Sequence, residues 1–246
     1  MGVFAGIERN WASQTNTGRT HIATKGIVQS GLVLNLDAGV SSSYPGSGTT
    51  WTNLIGGGNN GTLVNGPTYS SGNGGSLVFD GVDDYGNFSS RILTNVVTEI
   101  SCFMWIYPKS DGVVLAILGQ SAINSSYHHS AIEVGSSGEL RMSLWHNSLT
   151  NRINSTLSLN TWNNVGFTYA GTTLTGYLNS SNVGTTTFTW SKPSDIYFGI
   201  MSFDGTNMGT SAYGDGNVSN IQVYNRALTA AEIQQNFNAT RSRFSI

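Results

Sequence analysis

The stretch Ser76–Phe88, SLVFDGVDDYGNF, decides how the chain is built, because it sets an apolar run and a polar turn side by side. The run SLVF reads as a strand. Asp80-Gly81 and Asp83-Asp84 then shape a tight turn into the next strand, with aspartate side chains accepting hydrogen bonds from nearby backbone N–H groups. Three of the chain's 13 acidic residues fall here. Clustered carboxylates also suit Ca²⁺, which takes six to eight oxygens. In that second reading Asp80, Asp83 and Asp84 supply ligands, and Asp215 and Asn217 from the later loop AYGDGNVSN complete the shell.

Working outward, the same strand-and-turn grammar recurs. In GLVLNLDAG, Leu32, Leu34 and Leu36 alternate with Val33, Asn35 and Asp37, the period of two that marks a half-buried strand. Apolar runs follow at short intervals: GTLVNG, ISCFMWIYP, VVLAILGQ, DIYFGIMSF and GNVSNIQVYN. AIEVGSSGELRMSLW reads as a hairpin about Gly135–Gly138, and NVGFTYAGTTLTGYLN as a second about Ala170-Gly171. Short strands at such spacing predict an all-β sandwich, and the lack of internal repeats makes it one domain. A single helix is expected in RALTAAEIQQNFNA. There Thr229 and Glu232 form a capping box, and Ile233 and Phe237 share one face.

The resulting organisation is an N-terminal arm over residues 1–30, one sandwich over 31–240, and a basic, exposed tail over 241–246. Composition agrees with it. Of the 246 residues only 10% are charged, against roughly 25% in an ordinary soluble domain. Glycine reaches 31, so the surface is polar but largely uncharged. A net charge of −2 offers no basic face for nucleic acid. The single cysteine, Cys102, lies in an apolar run and reads as a small buried hydrophobe without a disulfide partner. No run reaches membrane-spanning length, and the start MGVFAGIERNW does not read as a secretory signal, so a soluble, non-secreted product is expected.

The order of GLVLNLDAG, SLVFDGVDDYGNF, ISCFMWIYP, TWNNVGFTYAGTTLTGYLN and GNVSNIQVYNRALTAAEIQQNF resembles laminin-G-like, concanavalin A-like lectin/glucanase domains over about residues 31–238. The resemblance implies a two-sheet antiparallel jelly-roll sandwich with one short C-terminal helix. It also implies calcium at a sandwich edge, although Ser219 and Asn220 stand where that family commonly has an acidic pair. The segments LNLDAG, SYPGSGTTW and NGTLVNGPTY are similar to laminin-G-like proteins of tailed-phage virions. From that likeness a non-enzymatic virion structural protein is expected, foremost a capsid decoration protein that assembles in the host cytoplasm. A tail-fibre or adhesion component and a free carbohydrate-binding module are the alternatives. Its partners would be capsid or tail proteins, further copies of itself on the particle, and glycans.

Glycoside hydrolysis needs two carboxyl groups flanking a bond. The glutamates Glu8, Glu99, Glu133, Glu139 and Glu232 are scattered, and the Glu-Xaa-Asp-Xaa-Xaa-Glu pattern of the laminarinase-like enzymes does not occur, so no catalytic residue is expected. For sugar stacking the candidates are Tyr44, Trp51, Tyr69, Tyr127 and Trp145, with His146 beside the last. Trp105 and Trp162, set in apolar patterns, read as core. His128 and His129, adjacent on an extended chain, point to opposite faces and read as a solvated loop pair.

Overall fold

The computed structural model describes residues 26–94, 97–119, 128–145, 151–202 and 213–246. Its strands are β1 (Leu32–Asp37), β2 (Thr50–Trp51), β3 (Gly61–Val64), β4 (Thr68–Ser70), β5 (Ser76–Asp80), β6 (Tyr85–Phe88), β7 (Leu93–Thr94), β8 (Glu99–Pro108) and β9 (Gly112–Leu118). They continue with β10 (His128–Val134), β11 (Glu139–Met142), β12 (Ile153–Thr156), β13 (Asn163–Ala170), β14 (Thr173–Leu178), β15 (Ser181–Thr187), β16 (Asp195–Ile200) and β17 (Asp215–Tyr224). One helix, α1 (Ala230–Thr240), follows.

Two antiparallel sheets form the expected jelly-roll sandwich. The first runs β15-β14-β13-β8-β17-β5-β4, with β1 also on β17, and the second runs β12-β11-β10-β9-β16-β6-β3-β2, with β7 on β16. The stretch SLVFDGVDDYGNF therefore does not close a hairpin: β5 pairs with β17 in the first sheet, while β6 pairs with β3 and β16 in the second. The aspartate turn carries the chain across the sandwich.

Between the sheets lie Leu34 and Leu36 of β1, Leu77 and Phe79 of β5, Phe167 of β13 and Phe198 of β16, all essentially inaccessible. Burying each such side chain contributes about 1.5–3 kcal/mol. Strand β8 is buried along almost its whole length because both its faces are covered. Ile100, Cys102, Met104 and Ile106 join the inner core, while Phe103 and Trp105 point to the opposite face and belong to separate clusters. There Phe103 packs with Leu228 and Ile233, and Trp105 with Trp162, Phe237 and Phe244. Helix α1 is thus a cap on the outer face of the first sheet. It starts with the expected capping box, and Arg226 grips the same Glu232 at 2.6 Å. That guanidinium, with the Thr229 groups, holds the Glu232 carboxyl well below its ordinary range, at about 2.

Both ends of the described chain are more tightly docked than the sequence suggests. Residues Arg241–Phe244 form a 3₁₀ turn rather than an exposed tail. Phe244 is 4% exposed and stacks on Trp105 with ring centroids 4.1 Å apart. Arg243 binds both carboxylate oxygens of Asp37, at 2.9 and 2.7 Å, and donates to Ser219 Oγ and the Gly74 carbonyl. The turn is buried because one aromatic and one arginine find partners far away in sequence, which a short polar segment does not reveal. At the other end, Val28 donates to Asn236 Oδ1 at 2.8 Å and accepts from Tyr224 Oη at 3.0 Å. Residues 26–30 of the expected arm are therefore part of the body, and residues 1–25 lie outside the described residues.

Removing a partner from a largely buried, multiply bonded ion pair costs about 2–3 kcal/mol, since a charge is left uncompensated. Arg243→Ala is expected to lower the melting temperature by about 5–10 °C, given roughly 2–4 °C per kcal/mol for a domain of this size. Thermal unfolding followed by circular dichroism checks this, with Arg241→Ala as the control that leaves Asp37 paired.

Candidate functional site

At the end of β5 the chain turns on Gly81, whose φ of 74° lies in the left-handed region. A Cβ at this position would also come within 2.8 Å of the Asp215 Cβ, so glycine is needed on both counts. Asp80 Oδ1 accepts from the backbone N–H of Val82 at 2.8 Å and of Asp83 at 3.4 Å. Buried Asp84 turns back to accept from Asp80 N–H at 3.2 Å, and Asn65 Nδ2 donates to the Asp83 carbonyl. The Val82 N–H, foremost among these bonds, draws the Asp80 carboxyl below its ordinary pKa. Burial, then the Asp80 charge, pushes that of Asp84 upward. The geometry is that of a built turn, in which side chains substitute for ladder bonds where the chain leaves one sheet for the other.

Carboxylate oxygens of Asp80, Asp83 and Asp84 lie within 4.8 Å of one another, so a Ca²⁺ ion here would take its protein ligands from these three. The other two expected ligands are engaged differently. Asp215 stands opposite Asp80 in register but faces Lys109 Nζ at 3.5 Å. Asn217, two residues further along β17, donates its amide to Ser76 Oγ at 3.1 Å. Strand β17 begins at Asp215 and fixes both in a ladder, where a calcium shell drawn from the loop AYGDGNVSN would need them free to turn inward. Ser219, at the family's acidic position, donates to the Gly75 carbonyl and accepts from Arg243. A carboxylate cannot make the first of these bonds.

The expected stacking residues divide. Tyr44 and Trp51 are 3% and 0% exposed and belong to the inner core, so neither presents a ring face to a sugar. Tyr69, on β4, is 37% exposed and packs against Tyr44 at 5.8 Å. Trp145, just beyond β11, is equally exposed and meets His129 edge-on at 5.9 Å. Strands β4 and β11 lie toward opposite edges of the sandwich, so these two aromatics do not form one platform. Tyr127 and His146 lie outside the described residues. His128 and His129 begin β10 rather than occupying a loop, and His129 is 1% exposed with Nε2 2.8 Å from Ser143 Oγ.

The described glutamates serve the frame. Glu232 holds Arg226, Glu99 accepts from Ala227 N–H, Glu139 accepts from Ser137 N–H, and Glu133 is wholly buried with Arg141 3.9 Å away. One feature went unread in the sequence: a polar pocket lined by Ser70, Gly72, Asn73, Ser76, Tyr107, Trp162 and Asn217. Only the alternation of Phe103, Trp105 and Tyr107 along the outward face of β8 could have signalled it.

Residues 80–234 match the family model Laminin_G_3, described as the concanavalin A-like lectin/glucanases superfamily. The chain belongs to that superfamily. No curated protein matches it in sequence. Among solved structures, Trypanosoma rangeli sialidase in complex with sialic acid shares the fold at TM-score 0.63 and 16% identity. The likeness covers 88% of this chain and 34% of the sialidase. The binding domain of Paraclostridial Mosquitocidal Protein 1 is similar at TM-score 0.59 and 15% identity, over 85% of this chain and 52% of that one. Domain 4 of AbnA, an extracellular arabinanase from Geobacillus stearothermophilus, in complex with arabinotriose, gives 0.59 and 11%, over 83% and 97%. This chain thus spans about a third of the sialidase and nearly all of the arabinanase domain.

Asp80→Ala removes the acceptor for two N–H groups and is expected to lower the midpoint of unfolding. Urea unfolding in the presence of a chelator measures this turn contribution free of any cation.

Proposed function

We propose that the chain is a non-enzymatic glycan-binding domain carried on a phage particle, most simply as a capsid decoration protein. The observation that carries binding over cleavage is the engagement of the described glutamates. Each is tied to a backbone N–H or lies beside an arginine in the frame, which supports binding over the paired-carboxylate chemistry that hydrolysis requires. The lectin/glucanase fold supports a carbohydrate partner, and so do the arabinotriose and sialic acid named with two structural neighbours. Fold alone does not give function, so the sugar itself has to be argued from a site. A calcium ion at Asp80, Asp83 and Asp84 would belong to this reading as a structural ion in the inter-sheet turn.

The particle half of the reading rests on the likeness of LNLDAG, SYPGSGTTW and NGTLVNGPTY to virion proteins. The Gly26 carbonyl accepts from Gln235 of α1, on the helix-capped side of the first sheet, so an anchor in the residues before it would leave the second sheet directed outward. None of the described helices is long and apolar enough to cross a membrane.

Purified protein mixed with virions lacking it is expected to sediment with the particles and to appear as symmetric density on the capsid. The same protein without residues 1–25 should remain folded in solution. Density at the tail would make the chain an adhesion component, and absence of sedimentation would leave a free carbohydrate-binding module.

A further inference from the structure

The polar pocket beside Asn217 lies on the outer face of the first sheet, between the 3₁₀ turn Gly72–Gly74 and the end of β8. Its volume is about 240 Å³, below the roughly 300–1,000 Å³ of sites for drug-sized ligands, so it suits a single ring. Its floor is aromatic. Tyr107 and Trp162 meet edge to face at 5.7 Å, and Trp162 is braced from behind by Phe244 at 4.6 Å. Its rim is made of amides and hydroxyls from Ser70, Asn73, Ser76 and Asn217.

Unspent hydrogen-bonding capacity marks it as a binding surface. Asn217 uses one amide N–H on Ser76 Oγ, which fixes the side chain and leaves Oδ1 as an acceptor. Among the described residues the Asn73 side chain and Tyr107 Oη have no hydrogen-bond partner. Asn73 is held at a φ of 53° in the middle of the 3₁₀ turn, a left-handed conformation that asparagine tolerates better than most residues. Donors and acceptors of both kinds above an aromatic floor suit a molecule with a weakly apolar face and hydroxyls around its edge. No charged side chain lines the pocket, so a carboxylate entering it would lose hydration without gaining a counter-charge.

We propose that this pocket is a subsite for one neutral sugar ring, a hexose or a pentose, and that it does not accept an acidic sugar. The inference rests on the glycan-binding reading above and gives it a place. The ring stacks on the partly buried Tyr107, with Trp162 packed beneath it, while Asn217 Oδ1, the Asn73 amide and Tyr107 Oη bond its hydroxyls.

Saturation-transfer NMR on the full chain tests it, with methyl glycosides of glucose, galactose, mannose and arabinose as probes and sialic acid as the charged comparison. The expected result is saturation of at least one neutral glycoside and none of sialic acid. Asn217→Ala and Asn73→Gly should each weaken binding by about tenfold or more, the loss of one to two hydrogen bonds. Asn73→Gly keeps the left-handed backbone at no strain, so a lost signal there is not a folding defect. Neutral-sugar binding unchanged in both variants, or saturation of sialic acid alone, overturns the subsite and leaves glycan binding standing elsewhere. Failure of every sugar on the panel to bind the wild-type chain overturns the subsite and the glycan reading together.

Discussion

The hydrogen bonding of one ten-residue strand, β17, is the constraint on which the rest of this structure depends. Along one edge it pairs with β8 over most of its length, and along the other it pairs first with β5 and then with β1. The two partners on that second edge need a seam. Ser219 supplies it as the extra residue of a bulge, accepting from Ala38 N–H and donating to the Gly75 carbonyl. Arg243 then crosses the seam, tying Asp37 of β1 to Ser219 and to the turn before β5. The first strand, the last strand and the C-terminal turn are thereby one unit, which permits α1 and Phe244 to cover the outer face of β8.

Functional placement follows from this frame. Because the seam holds the Gly72–Gly74 turn close to β17, the amides of Asn73 and Asn217 come to one rim. Because Phe244 docks on Trp105 and Trp162, the floor beneath that rim is braced by packed rings. Several charged groups are paired within the frame: Asp37 with Arg243, Asp195 with Arg91, Asp215 with Lys109 and Glu232 with Arg226. What remains for recognition is mostly amide, hydroxyl and aromatic ring, a surface suited to neutral polar ligands.

Much of the fold was legible because local chemistry and global arrangement agree. The alternation of Leu32, Leu34 and Leu36 is reproduced as alternating burial, and Thr229 and Glu232 make the reciprocal cap their spacing announces. The crossing between sheets at Asp80–Asp84 was not legible, since a strand has the same period whichever sheet it joins. Arg243 and Phe244 were missed because their partners stand 24 to 206 positions away. Tyr44 and Trp51 suggest ligand platforms in the sequence because a ring with a polar handle suits an amphipathic ligand. In a chain with few long apolar runs, however, isolated aromatics in polar segments are drawn inward to complete the core. Asn217 was read as a cation ligand from its late loop, and its place in a ladder beside Ser76 gives it a different chemistry.

The central claim is that this sandwich holds carbohydrate without cleaving it. The most direct measurement exposes the full chain to an array of neutral and acidic oligosaccharides, then assays the same glycans for newly formed reducing ends. Retention of neutral glycans with no increase in reducing ends is the result this account expects. Release of reducing ends that disappears on changing Glu133 or Glu139 to glutamine would contradict it.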